Sequence, residues 1–309
     1  MIPIETVQLT RQFDALIAVD KLSLSVKSGE VVAFLGPNGA GKTTTIRMLT
    51  GSLQPTRGTA RICGFDVVKE AVQARRHIGY VPEENSAYYA DMSVRTFCKY
   101  IGTLRGLAGE HLAREVREKL GIVQIEHLAK RKIDTLSSGQ KQRLGLAQAL
   151  LGDPDVIIAD EPTANLDPAG KQQIIALIRS LAKENSNRAF FVSTHILAEA
   201  EALADRILIL NQGKLVTDSS LETLQENNFH SQTFFVNVSD KEALHQALDS
   251  SWAEGVRIVG GGLEIQTKTP ELLFKELPKV IVENNLSLLM FRPAKSRLES
   301  VYFESTAIK

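Results

Sequence analysis

Val31-Val32-Ala33-Phe34-Leu35 runs straight into Gly36-Pro37-Asn38-Gly39-Ala40-Gly41-Lys42-Thr43-Thr44. Five consecutive apolar residues are expected of a strand buried on both faces. The nine residues after it carry the spacing G-x-x-x-x-G-K-T of a loop that cradles nucleotide phosphates. Gly36, Gly39 and Gly41 let the backbone turn tightly and aim its N–H groups inward, with Pro37, Asn38 and Ala40 between them. Lys42 supplies a point charge for the outer phosphates, Thr43 a hydroxyl for Mg²⁺, and Thr44 continues into a helix marked by Ile46 and Leu49. The positive end of that helix dipole then also faces the phosphates. A glycine-rich turn of no function would have no reason to sit between this strand and this helix.

The rest of the chain sets the frame. Its 309 residues suggest about two domains, and 43% hydrophobic with 23% charged residues is the balance of a globular protein. Lys plus Arg number 36 and Asp plus Glu number 36, so there is no broad basic field and no nucleic-acid partner is expected. No apolar run approaches the roughly 18 residues that span a bilayer. Met1 to Glu5 lacks a basic start and a long apolar core, so no secretory signal is expected. Cys63 and Cys98 belong to no spaced motif and read as reduced thiols of a cytosolic protein; the histidines are scattered without metal-ligand spacing.

Periodicity organises the remainder. Glu5–Arg11 and Ala18–Val26 alternate like strands, Lys42–Gly51 reads as a helix, and Thr59–Cys63 as a strand. From Ser93 to about Gly152 the spacing turns helical, with Gly106, Gly109 and Gly121 as breaks. Val156–Ala159 and Ala189–Ser193 are further buried strands, separated by a helix over about Pro168–Lys183 and followed by one over Ile196–Ala204. Asn211-Gln212-Gly213 joins Ile207–Leu210 to Lys214–Thr217 as a hairpin turn. Glu226–Gln232 is polar and reads as a linker. Beyond it come strand Thr233–Val238, helix Lys241–Leu248, strands Val256–Val259 and Leu263–Thr267 about a Gly260–Gly262 turn, helix Pro270–Asn284, strand Leu286–Phe291 and a final helix over Lys295–Glu304. The order βαββαβ is that of a small split-βαβ domain.

Two more segments carry chemistry. Val156-Ile157-Ile158-Ala159 delivers Asp160 and Glu161 to a strand's C-terminal end, where parallel α/β sheets place their ligands. Asp160 is placed to hold Mg²⁺, directly or through water, and Glu161 to polarise an attacking water. Leu136-Ser137-Ser138-Gly139-Gln140 opens a helix with Lys141-Gln142-Arg143. That is either an anion-binding helix start or an ordinary serine cap.

With the phosphate loop at 36–44, L-S-S-G-Q at 136–140, the strand ending at Asp160-Glu161, Ala164-Asn165-Leu166-Asp167 and Ser193-Thr194-His195 in this order, the chain resembles the ATP-binding subunit of an ABC (ATP-binding cassette) transporter over about residues 5–225. The resemblance implies an α/β P-loop ATPase core with an antiparallel β subdomain and a helical insertion (about 93–152), spanning 1–225, and a C-terminal α+β accessory domain at 226–309. It implies ATP and Mg²⁺ as cofactors. Phe13 would stack on adenine. His195 would contact the γ-phosphate and orient water, and Asp167 would act across a dimer interface. Ser137, Gly139 and Gln140 of one subunit would complete the phosphate-loop site of a second copy.

Two positions depart from the family's usual pattern. Glu83 stands after Ile78-Gly79-Tyr80-Val81-Pro82 where Gln is usual; it can still bind Mg²⁺ or water, with added negative charge. Ser138 stands where Gly is commonest. A separate membrane permease is implied, met by the surface around Glu84–Thr96 with Tyr88, Tyr89 and Met92, unless those side chains pack inside the insertion. The end, Arg297-Leu298-Glu299-Ser300-Val301-Tyr302-Phe303-Glu304, resembles the tail of cassettes paired with ABC-2-type permeases, which points to export from the cytoplasmic face of the membrane. The C-terminal domain then supports dimerisation or structure, or senses a ligand. Two other readings stay open: a non-transport ABC ATPase, and a soluble ATPase regulated by a ligand whose binding would alter Trp252 fluorescence.

Overall fold

The computed structural model describes residues 2–83, 89–226, 233–249, 251–294, 298–299 and 302–303. They fall into two compact units, Met1–Ser219 and Ser220–Lys309.

The first unit is built on a six-stranded sheet. Its strands are Val31–Leu35 (β3), Ile78–Val81 (β6), Val156–Ala159 (β7), Ala189–Thr194 (β8), Arg206–Asn211 (β9) and Lys214–Ser220 (β10), in the order β10-β9-β3-β8-β7-β6. β9, β3, β8, β7 and β6 run parallel. Each central strand sends alternate side chains to two cores. Val32, Phe34, Ile158 and Phe191 enter one, while Val31, Ile157, Phe190 and Val192 enter the other. Burial on both faces is why these strands read as unbroken apolar runs.

A four-stranded antiparallel sheet closes the first core. It comprises Ile4–Phe13 (β1), Leu16–Val26 (β2), Arg57–Ile62 (β4) and Phe65–Asp66 (β5), in the order β2-β1-β4-β5. Helix Lys42–Leu49 (α1) lies in the same layer, contributing Ile46, Met48 and Leu49. The second core is covered by Val94–Leu104 (α3), Gly109–Ile122 (α4), Ser138–Leu150 (α5) and Pro168–Glu184 (α6). Leu197–Leu203 (α7) follows β8.

Two local readings change. Ala71–Arg76 forms a short helix (α2) that periodicity does not show, because only Ala74 is buried. Gly121 lies in the last turn of α4, which ends at Ile122, one residue beyond the expected break. Gly109 is the first residue of that helix, at the expected break after α3. The polar stretch expected as a linker begins one residue inside a further helix, Leu221–Glu226 (α8), and its remaining residues lie outside the described ones.

The second unit contains Thr233–Val238 (β11), Lys241–Ala247 (α9), Gly255–Val259 (β12), Gly262–Gln266 (β13), Pro270–Glu283 (α10) and Leu288–Pro293 (β14). All strand pairs are antiparallel, in the order β12-β13-β11-β14. This is the split-βαβ arrangement, with the first strand central and the last at an edge. Both helices pack Leu244, Leu273, Leu277 and Ile281 onto Phe234, Val236 and Ile265, and Trp252 is buried in this core at 4% exposure. Of the expected final helix, only 298–299 and 302–303 lie among the described residues, and they are helical.

Candidate functional site

Three parallel strands set the site by ending side by side. Leu35 of β3 pairs with Thr194 of β8, and Ala159 of β7 pairs with Val192 of β8. The phosphate loop, the Asp160-Glu161 pair and His195 therefore leave the same edge of the sheet. A cleft of about 1080 Å³ opens there. Its lining includes Phe13, Asn38, Gly39, Gly41, Lys42, Thr43, Thr44, Glu83, Glu161 and His195. Of the residues expected to hold nucleotide on this side, only Gly36, Pro37 and Ala40 stand back from it. The first two act through their carbonyls, and Ala40 is buried with its carbonyl accepting from Gly213 N–H at 2.9 Å.

The loop is shaped to receive an anion. Gly41 has φ +107°, and a Cβ there would lie 2.4 Å from the carbonyl oxygen of Ala18, so only glycine fits. It is also the N-cap of α1, and no side chain caps that helix end. Free N–H groups and the helix dipole are thus left for phosphate oxygens. Lys42 is 5% exposed; its Nζ donates to the carbonyls of Gly36 (2.8 Å) and Pro37 (3.2 Å) and lies 3.5 Å from Glu161 Oε1.

The carboxylates differ in setting. Asp160 is 1% exposed and sits behind the cleft wall. Burial pushes its carboxyl above the ordinary range; hydrogen bonds from the Ser193 and Thr43 hydroxyls oppose this, the Glu161 charge adds to it, and Lys42 opposes it. A buried carboxylate bonded to a threonine hydroxyl at a phosphate loop suits a divalent cation, so these residues fit Mg²⁺. Ser193 Oγ donates to Asp160 Oδ1 at 2.6 Å and accepts from Glu161 N–H at 2.9 Å, joining β7 to β8 at their tips. Glu161 has φ +43° and Asn165 has φ +59°, a backbone arrangement that non-glycine residues adopt at a cost of about 1 kcal/mol or more. Glu161 Oε2 lies 2.9 Å from His195 Nδ1.

Phe13 is 40% exposed at the end of β1, with the Arg11 guanidinium 4.3 Å from its ring centroid. It is not a core residue, and it offers the cleft an aromatic face. Glu83 reaches the cleft from the end of β6.

The L-S-S-G-Q residues are elsewhere. Ser137 and Gln140 form a reciprocal cap at the start of α5: Gln140 N–H donates to Ser137 Oγ at 3.3 Å, and Ser137 N–H donates to Gln140 Oε1 at 3.0 Å. With Gly139 they line a separate hollow of about 330 Å³. A Cβ at Gly139 would meet nothing within 4 Å, so nothing in the folded chain requires glycine there.

The family described as ABC transporter matches residues 19–164. The bacitracin transport ATP-binding protein BcrA of Bacillus licheniformis is 35% identical over 97% of this chain and 95% of its own length. The chain belongs to the ATP-binding proteins of ABC transporters. The Nod factor export ATP-binding protein I of Burkholderia lata is 34% identical, over 88% of each chain. Among solved structures, the dimeric ATP-binding cassette MJ0796, in a post-hydrolysis state with ADP and Pi, superposes with TM-score 0.63 at 26% identity, covering 71% of this chain and 98% of its own. This ABC protein is an ATPase with ATP and Mg²⁺ as its cofactors.

One site residue escaped sequence reasoning. Glu199, 7% exposed, lines the cleft and binds Thr163, Thr194 and Lys171. A signal existed: Glu199 shares the buried stripe of α7 with Ala200 and Leu203, where a carboxylate has to find partners.

A second cluster was hidden by linear distance. The ligand atoms of Cys63, His77 and Asp155 lie within 4.8 Å of one another where β4, β6 and β7 meet. His77 Nδ1 pairs with Asp155 Oδ2 at 2.6 Å, and burial, aided by the Asp155 charge, pushes the Cys63 thiol up to about 11. The His77–Asp155 pair joins the starts of β6 and β7, with the neutral Cys63 thiol beside it.

Proposed function

We propose that two copies of this chain close around two ATP molecules and drive an ABC-2-type permease in export, from the cytoplasmic face of the membrane. The observation that carries this reading is the separation of the two half-sites. Lys42 and Thr43 face one cleft, whereas Ser137, Gly139 and Gln140 line another hollow, with open space at Gly139. A second copy laid head to tail would bring its Ser137 and Gly139 to the phosphate loop, and Gly139 leaves room for a γ-phosphate at the start of α5. Asp167 stands at that dimer interface. The bacitracin and Nod factor relatives favour export. No helix among the described residues is long and apolar enough to cross a membrane, and the reading assigns the pore to a separate permease.

Within each site, Phe13 stacks on adenine and the loop N–H groups with Lys42 hold the phosphates. Thr43, Asp160 and Glu83 hold Mg²⁺, which when bound neutralises charge on the phosphate oxygens. Glu161 accepts a proton from the attacking water, and His195 fixes the Glu161 carboxylate while reaching the γ-phosphate.

The test is affinity purification of the full-length chain from membranes of its own cell. The reading requires a multi-spanning protein in stoichiometric amount, and ATP hydrolysis that rises when the two are reconstituted together. Recovery of the chain alone from membrane and soluble fractions would overturn the transport assignment.

A further inference from the structure

Glu199 stands on the third position of α7, within one turn of the helix start, where the dipole favours a carboxylate. Its two oxygens serve different elements. Oε2 accepts from Thr163 Oγ1 at 2.6 Å and from Thr194 Oγ1 at 2.9 Å. Oε1 accepts from Lys171 Nζ at 3.0 Å. Thr163 lies two residues after Glu161, Thr194 immediately precedes His195, and Lys171 is in the first turn of α6, directly after Asn165-Leu166-Asp167. The Thr194 hydroxyl also accepts from Ile196 N–H at 3.1 Å, fixing the turn that carries His195.

One buried carboxylate therefore ties together three segments: the one that carries Glu161, the one that carries His195, and the helix that begins at Asp167. We infer that Glu199 is a positioning residue that sets the Glu161–His195 distance and links it to the Asp167 segment. This rests on the reading of Glu161 and His195 as the hydrolytic pair. The physical reason is covalent proximity. Thr163 and Thr194 are each one or two residues from the groups that must meet, and both donate to the same oxygen atom. A shift of either segment breaks a hydrogen bond in a site where a displacement of about 1 Å costs on the order of 10²-fold in rate. The contact that ties in Lys171 makes the carboxylate sensitive to the helix on which Asp167 is the N-cap, its side chain accepting from Gly170 N–H at 2.8 Å. Movement of the dimer-facing segment is thereby felt at the hydrolytic pair.

The donor count makes the idea testable. Glu199 accepts three hydrogen bonds through two oxygens, and glutamine offers one acceptor oxygen and an amide N–H₂. In Glu199→Gln, either the two threonines or Lys171 must face a donor. In the double variant Glu199→Gln/Lys171→Gln, amide can meet amide, so much of the lost rate should return.

The experiment is steady-state ATP hydrolysis and nucleotide titration on the full-length chain with Mg²⁺. Glu199→Ala should lower kcat by about tenfold or more, with ATP Kd changed by less than about threefold. In a His195→Ala background the same substitution should add little, because two residues that act through one geometry are not additive. Lys171→Gln should restore rate to Glu199→Gln. A general structural role would lower melting temperature, weaken ATP binding in step with kcat, and add fully to His195→Ala. That pattern, or an unchanged kcat in Glu199→Ala, overturns the inference. Should Glu199→Ala fail to fold, Glu199→Gln with and without Lys171→Gln decides it by rescue or its absence. If His195→Ala and Glu161→Gln themselves keep full activity, the hydrolytic reading fails and this inference falls with it; if both lose activity while Glu199→Ala keeps its kcat, this inference alone is overturned.

Discussion

His195 Nδ1 and Glu161 Oε2 lie 2.9 Å apart although 34 residues separate them in the chain. The pairing of β7 with β8 puts their C-terminal ends together, and Ser193 locks them by donating to Asp160 and accepting from Glu161 N–H. The other oxygen of Glu161 lies 3.5 Å from Lys42 Nζ. Glu161 thus stands between the Lys42 ammonium and the His195 imidazole.

Glu161→Gln should keep ATP binding and lose hydrolysis by about 10²-fold or more, as expected when a positioned general base is removed. The amide keeps the shape of the site and removes the negative charge beside Lys42, so ATP-bound dimer should accumulate. Phosphate release and light scattering with ATP check both parts. Undiminished phosphate release excludes the base role.

Asp160→Asn separates metal binding from folding. The folded state raises the carboxyl pKa of Asp160, so the fold prefers its protonated form, and that preference is lost as pH rises through the folded pKa. Asparagine keeps an acceptor for Ser193 and carries no charge. Without nucleotide and metal, the variant should therefore melt at a higher temperature than the native chain near pH 7.5, and the difference should shrink as pH is lowered towards about 4. Mg²⁺-dependent hydrolysis should be lost. A lower melting temperature at pH 7.5 contradicts the argument.

Gly41→Ala combines a left-handed backbone at φ +107° with a 2.4 Å approach to the Ala18 carbonyl. The loop must move away from β2, at a cost of about 3 kcal/mol in stability. ATP binding should fall with it, because the moved N–H groups no longer converge. Urea midpoints and nucleotide titration measure the two effects; native affinity in this variant would show that the loop geometry is not what holds phosphate.

Both thiols should be inert in the folded chain. Burial pushes Cys63 up to about 11 and Cys98 up to about 12, so each is neutral at pH 8. A disulfide reagent should label neither in native buffer and both in urea. By the same shift, the native state keeps protons that the unfolded chain releases above about pH 9, so stability should fall as pH rises from about 9 towards 11. Fast labelling of Cys63 in native buffer would place its thiol outside the sheet junction.

Much of this was legible in the chain itself. Val31–Leu35 and Val156–Ala159 stand out because strands buried on both faces have no polar positions to blur them. Asp160 and Glu161 come straight after such a strand, and His195 straight after β8, which fixes their places to within a residue. Ala71–Arg76 was not legible, since a six-residue helix with one buried side chain has no period to show. Glu199 looks like one of several acids on a short helix until its burial is known.

The sequence by itself determined the phosphate-loop pattern and the order of its residues, because that pattern is local: a strand, a glycine loop and a helix start within 14 residues. Tertiary structure alone decided the rest. The pairing of β3, β8 and β7 brings Lys42, Glu161 and His195 to one cleft, burial gives Asp160 its raised pKa, and the packing of α7 turns Glu199 inward. These depend on distances between segments far apart in the chain, which no linear spacing records.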